Sequence, residues 1–446
     1  MLVSRRAFLA TSAGAALAAA LAACEASASG RINVRDEGAK GDGVSKDTAA
    51  IQRAIDKASR QGGNIVYVPK GRYLSGTIHL RRSVHLFLAK GALLVASRDP
   101  RDFQPIESFP YQTFADPETS DAHFALLAAD GVSGIKVSGL GGIDGNRIAR
   151  GGPKPIGLKR CVNVAIADIT ITDSPNYAIS LIGCDNVDVA RVNVINSFAD
   201  GIDPDSCQGV TIRDCYVDAF DDGICLKASL ALGAPRPTRR ISVTGCTVLS
   251  SSSALKIGTE TSSDVSDITF GNCRLYGRPA PGTTPREAEG GGVSIESVDG
   301  SHINNVTVDG IKMVDVPAPL FVRLGSRGRG QSTPTPGAIR NVAVSNVTAR
   351  GAARPSSIAG VAGDYITDVR LFNVSIASDT PDAPPPGKVP ELPAEYPQNA
   401  MWGALPASVL WARHVDGLSM QRIDFRPAAG DGRPAFVADD VLKLVK

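Results

Sequence analysis

Residues 198–224 read FADGIDPDSCQGVTIRDCYVDAFDDGI, and the tripeptide Asp-Gly-Ile occurs in them twice, at Asp200 and at Asp222, where Asp221 adds a second acid in front. The spacing is not confined to the acids. Cys161, Cys184 and Cys207 lie 23 residues apart, and the apolar Ile156, Ile179, Ile202 and Ile224 recur at 23, 23 and 22. A period of about 20–25 residues marks a solenoid, in which each unit buries its apolar face only by stacking on its neighbours.

Laid on that period, the segments ISLIGCDNV, IDPDSCQGV, ICLKAS, LKIGTE, VSIESVDG, LFVRLG and LWARHVDG fall into common columns. Most alternate apolar and polar residues, the period of a strand with one buried face. The fold class expected is all-β: a single right-handed parallel β-helix over residues 31–446. The longer units carry turn-forming surplus, LALGAPRP, RPAPGTTPREAEG and GSRGRGQSTPTPG, which reads as loops leaving one edge. Asp47 to Ala58 has a capping residue and apolar positions at helical spacing, and is expected to cap the N-terminal end of the solenoid. The Pro-rich stretch from Thr380 to Pro406 reads as a long surface loop of the same domain.

Residues 1–30 read differently. Ser4-Arg5-Arg6-Ala7-Phe8-Leu9 followed by an Ala/Leu-rich run matches a twin-arginine export signal. Leu21-Ala22-Ala23-Cys24 resembles a lipobox that would lipidate Cys24, with Ala26-Ser27-Ala28 as a rival cleavage site. The expected location is the periplasm, or the outer membrane or cell surface as a lipoprotein, with membrane contact only through that anchor. Basic and acidic residues number 47 and 45, so the net charge of +2 gives no global attraction to nucleic acid. Seven cysteines remain after Cys24, an odd number in a chain that would fold in the reducing cytoplasm, so a stacked ladder of free thiols is expected rather than disulfides.

In such a solenoid successive coils lie about 4.8 Å apart, so each column is a ladder. Relative to the inward apolar anchor, positions two before, one after and three after share the outward face. They hold Asp200 and Asp222, then Asp203 and Lys256, then Asp205, Lys227, Glu296 and Arg323. Carboxylates stacked at this pitch do not all ionise freely, so at least one pKa is expected to rise. A protonated acid beside ionised ones suits glycosidic cleavage, which needs a proton for the leaving oxygen and a carboxylate to activate water or attack carbon. Asp200, Asp221 and Asp222 are therefore the catalytic candidates. Asp203, Lys227, Lys256, Glu296 and Arg323 are the substrate-binding candidates, although Asp before Gly also serves turns, and Asp203 and Asp205 fit a turn cap after Pro204 as well.

These residues resemble the polygalacturonase family, glycoside hydrolase family 28, of pectin-lyase-like β-helices. Its Asn-Thr-Asp-Gly segment matches Phe198-Ala199-Asp200-Gly201, its Asp-Asp pair matches Asp221-Asp222 in DDGICLKAS, and INVRDEGAKGDGVSKDTAAIQRAID resembles the N-terminal entry of pectin-degrading β-helices. The resemblance implies Asp221 as general acid and Asp200 with Asp222 activating water in an inverting hydrolysis of a galacturonan or rhamnogalacturonan. Column pitch alone leaves inverting and retaining outcomes open. Two motifs depart from the family. Ser252-Ser253-Ala254 stands where it has Gly-His-Gly, and Ser294-Ile295-Glu296 where its Arg-Ile-Lys grips the galacturonate carboxylate. Lys256 and Arg323 are the candidates for a displaced clamp. The five histidines are too scattered for a metal site, and neither metal nor cofactor is expected. The expected partner is a polysaccharide, and the protein is expected to act as a monomer. Two other readings share the fold: a lyase using Lys256 or Arg323 as base, and a non-catalytic glycan binder stacking sugars on Phe321 and Trp411.

Overall fold

The computed structural model describes residues 31–446 apart from 148, 280, 281, 284–288 and 386; the export signal and Cys24 lie outside the described residues. The chain winds into a right-handed β-helix in which every strand pairs in parallel with the strand one coil away. The registers follow the predicted columns. Ile156 pairs with Ile179, Ile179 with Ile202, Ile202 with Ile224, Ile224 with Leu255, Leu255 with Val293 and Val293 with Leu320. These anchors are fully or nearly fully buried in one continuous apolar core running the length of the solenoid. One coil escapes the sequence pattern. Strand Ser356–Ala359 lies between the units of Leu320 and Leu410, pairing Ser357 with Phe321 and Trp411. Its anchor position is Ser356, whose hydroxyl accepts from Leu320 N at 3.1 Å, so no apolar residue announces it.

The repeated Asp-Gly-Ile has a steric cause. A Cβ on Gly201 would lie 2.3 Å from Val217 Cγ1 and 2.5 Å from the Gly223 carbonyl oxygen. On Gly223 it would meet Val248 Cγ1 at 2.2 Å and the Ala254 oxygen at 2.6 Å. The chain turns into the strand so tightly over the coil below that only glycine fits between acid and anchor.

All seven described cysteines are free and buried. Cys161, Cys184 and Cys207 form one ladder, with Cys184 N donating to Cys207 Sγ at 3.2 Å. Cys215, Cys246 and Cys273 line up in a second, through the registers of the residues that follow them.

The helix spans Thr48–Arg60 and buries Ile51, Ala54, Ile55 and Ala58 against the first coils. Asp47 precedes it but makes no side-chain cap on it. Its carboxylate accepts instead from Lys40 N at 2.6 Å and Gly41 N at 3.0 Å, pinning the preceding loop.

The Pro-rich segment packs across the outward face of the last coils. Val389, Trp402, Leu405 and Ala407 bury Phe321, Ala359 and Trp411 beneath them. Trp402 and Trp411 meet edge to face with centroids 5.1 Å apart. Trp402→Ala is expected to remove about 3–5 kcal/mol of this packing. Limited proteolysis should then cut within residues 380–406 well before the solenoid unfolds.

Candidate active site

Strands Ile202–Asp205, Ile224–Ala228, Leu255–Thr261 and Val293–Ser297 lie in consecutive coils and carry the charged strip. Register places Asp205 beside Lys227, Cys225 beside Lys256, Lys256 beside Ser294 and Glu296 beside Arg323, as the columns required. Carboxylate oxygens of Asp200, Asp221 and Asp222 all lie within 4.8 Å of one another. Asp222 N also donates to Asp200 Oδ1 at 3.2 Å, which ties the two Asp-Gly turns together.

The three acids sit in different surroundings. Asp200 is buried, and burial with the neighbouring charges of Asp221 and Asp222 drives its pKa well above the carboxylate range, despite Lys227. Burial pushes Asp222 the same way but is outweighed: Lys256 Nζ donates to it at 2.9 Å, Ser253 N donates at 2.9 Å, and its pKa falls below the usual value. Asp221 stands at the lip with its side chain 30% exposed, where Arg150 Nη2 donates to it at 2.8 Å and to Glu118 at 3.0 Å. The cluster therefore combines an acid that resists ionisation, a carboxylate that favours it and a solvent-accessible acid at the lip.

Lys227 is the hub beneath. Its ammonium donates to Asp203 at 2.8 Å, Asp200 at 3.1 Å and the Tyr177 hydroxyl at 2.9 Å, and lies 3.9 Å from Glu260. Burial alone would lower its pKa, but its acidic partners, Asp203 foremost, raise it well above 10.5. Asp203 is thereby a structural partner of Lys227. Asp205 accepts from Ser229 N at 2.8 Å and from the Ser206 and Ser229 hydroxyls, so it closes the turn; burial holds its pKa up at about 6. A second group of ligand-type atoms, from Asp200, Asp203 and Cys225, also comes within 4.8 Å. There the Lys227 ammonium already stands where a cation would, so this arrangement is an internal ion pair, not a vacant metal centre.

Arg323 does not serve as a substrate clamp. It is 2% exposed and its guanidinium donates to the carbonyls of Gly360, Glu391 and Leu392 at 2.9 Å each. Burial lowers its pKa to about 10. Arg413 on the same column reaches the Val389 carbonyl at 2.8 Å. The Pro-rich segment supplies all of these acceptors but Gly360, and nothing in a column pattern shows which loop will fold over it. For the same reason Phe321 and Trp411, candidates for sugar stacking, are sealed under Trp402. Tyr177 lies on the predicted outward face, but its partnership with Lys227 required the coil spacing. Arg150, Glu118, Glu260 and Tyr396 were missed. Arg150 and Tyr396 come from irregular segments with no periodic signal.

Where a histidine motif is absent, Ser253 and Ser294 share a hydrogen bond of 2.8 Å between hydroxyls, and Gly291 N donates to Ser253 Oγ at 3.1 Å. Glu296 is 2% exposed, its Oε2 accepts no hydrogen bond, and Lys256 Nζ stands 3.8 Å away. Burial pushes its pKa up to about 8, against the pull of Lys256. The folded protein thus retains a proton that the unfolded chain releases near pH 4.5, and stability is lost as pH rises from there through 8. Glu296→Gln lacks this titration. Relative to the unsubstituted protein it is expected to gain on the order of a few kcal/mol between pH 5 and pH 8, read as urea midpoints at the two values.

The profile of glycosyl hydrolases family 28 matches residues 109–384, and that of rhamnogalacturonase A/epimerase, pectate lyase-like, matches residues 31–91. A probable polygalacturonase of Vitis vinifera is 27% identical over 256 residues, 52% of this chain and 52% of its own length. The chain thus spans about half of that relative. A polygalacturonase of Ralstonia solanacearum is 24% identical over 69% of this chain and 67% of its own. In fold, the family 28 exopolygalacturonase of Yersinia enterocolitica superimposes with a TM-score of 0.71 at 20% identity, covering 93% of this chain and 78% of that one.

Proposed function

The chain belongs to glycosyl hydrolases family 28, and from that premise we propose that it is an exported enzyme hydrolysing glycosidic bonds in a pectin-like polysaccharide, galacturonan or rhamnogalacturonan. The observation that carries this reading is the convergence of Asp200, Asp221 and Asp222 within 4.8 Å, with Asp200 shifted toward its protonated form and Asp222 toward its ionised form. The relatives named polygalacturonase supply the substrate class.

The family resemblance, not the pKa shifts, makes Asp221 at the lip the donor of a proton to the leaving glycosidic oxygen. Asp222, kept ionised by Lys256, takes a proton from the attacking water, and Asp200 completes the water site. The nearest carboxylate oxygens are closer than the carboxyl separation of about 6.5–9.5 Å usual for inverting enzymes. The inverting outcome therefore rests on the family resemblance, and the anomeric configuration of the first product, read by NMR, decides it. Cys24, as a lipidated first residue, would place the enzyme on a membrane surface facing the periplasm or outside. The mass of the mature N-terminus tests that, and gel filtration tests the monomer.

A lyase reading loses its bases. Lys227 and Lys256 both have raised pKa values, which oppose proton abstraction, and Arg323 is tied to backbone carbonyls. The test is product analysis on a panel of pectic and non-pectic glycans. New reducing ends without near-ultraviolet absorbance are expected; unsaturated products would overturn the hydrolase.

A further inference from the structure

A recess lies away from the acids, on the next sheet around the solenoid. It is an open cleft of about 490 Å³ whose lining includes Arg340, Thr367 and Asp416, which pair in register on three consecutive coils. The first of these coils is that of strand Leu320–Leu324, three registers on from the coil of Ile224 and Asp222, about 14 Å along the axis at the coil pitch. The volume falls within the range of about 300–1,000 Å³ usual for small-molecule sites.

The groups lining it are polar and largely uncommitted. Arg340, Asp364 and Asp368 are exposed, and their side chains make no hydrogen bond or ion pair with any described residue. Asp416 gives one oxygen to Lys443 Nζ at 3.0 Å, and its Oδ1 accepts no hydrogen bond. Tyr365, by contrast, is fixed: its hydroxyl donates to Asp440 at 2.7 Å and its ring meets His414 edge to face. Gly417 also lines the cleft, and a Cβ there would narrow it, lying 3.2 Å from Asp368 Oδ1.

This chemistry selects among ligands. Among the described residues, the groups of ligand-type atoms that close within 4.8 Å both lie on the catalytic strip, so Asp364, Asp368 and Asp416 do not form a metal centre. An anion would meet two free carboxylates for one free guanidinium. A neutral sugar fits better. Carboxylates accept from its vicinal hydroxyls, a guanidinium donates to their oxygens, and a fixed aromatic ring covers its apolar C–H face. We propose that this cleft is a second carbohydrate site, which holds uncharged saccharide units outside the catalytic strip. It uses none of the catalytic acids, so it stands or falls independently of the hydrolase reading.

The test titrates the Asp221→Asn protein by calorimetry with β-1,4-linked galactotetraose and with cellotetraose, using tetragalacturonate as the anionic control. At least one neutral tetrasaccharide is expected to bind with a Kd of about 1 mM or tighter. Arg340→Ala and Asp364→Ala, each introduced into that protein, are expected to weaken this binding at least about fivefold. Together they should abolish it. Both side chains are exposed and without partners, so the thermal midpoint should not move. Failure of both neutral sugars to bind overturns the site, and so does an affinity that the double variant leaves unchanged. Tetragalacturonate binding more tightly than either neutral sugar, and weakened by Arg340→Ala, would make the cleft an anion site and overturn the proposal as well. Reducing-end release by the unsubstituted enzyme is read separately, so the failure of either reading is told from that of the other.

Discussion

Asp221→Asn is expected to lower kcat on the preferred pectic substrate by about 10²–10⁴-fold, the range of a lost general acid, with the fold intact. Asp221 is the one acid of the three exposed at the lip, and no backbone amide depends on its carboxylate. Its contact is with Arg150, itself 45% exposed, and such a half-exposed pair contributes little to stability. The thermal midpoint should therefore stay near that of the parent. Asp222→Asn should be equally inactive but less stable, because it leaves Lys256 without its closest carboxylate and weakens the hydrogen bond from Ser253 N. Reducing-end release and thermal unfolding, measured side by side, separate the two roles. Undiminished turnover in Asp221→Asn would remove the proposed mechanism.

Lys227→Met is expected to be the most damaging single change to stability, costing about 3–5 kcal/mol, because removal of one partner strands the buried charges of the others. Asp200, Asp203 and Glu260 would face one another without their shared cation, and the Tyr177 hydroxyl would lose its donor. Asp203 Oδ1 already lacks a hydrogen bond, so no spare donor is at hand. Stranded buried carboxylates take up protons above the usual range, so the deficit shrinks as pH falls toward 4 and widens as it rises toward 8. The double variant Lys227→Met with Asp203→Asn should recover part of the loss, because it removes one stranded charge. Urea unfolding of both variants at the two pH values checks the magnitude and the sign.

How much of this was legible in the sequence depends on whether a residue belongs to the repeat. Ile202 and Ile224 fixed their own register, because a solenoid coil that slips leaves its apolar face unpaired. The juxtaposition of Asp200 with Asp222 follows from that register and the glycine each acid precedes. The coil at Ser356 was not legible, since a hydroxyl stands where the others have an apolar anchor. Asp203 could be placed on the strip, yet its role as an ion-pair partner became clear only with Lys227 Nζ 2.8 Å away.

Arg323 marks the limit. Its column is as predicted, but the carbonyls of Glu391 and Leu392 close over it. By itself, then, the sequence determined the coil, its period and the meeting of three acids, because periodic burial of apolar residues admits one stacking. Only the tertiary structure decided which outward residues remain open to a glycan, because aperiodic loops settle by packing and hydrogen bonding to whatever surface the coils present. Arg150, Trp402 and Tyr396 reach the strip by that route alone.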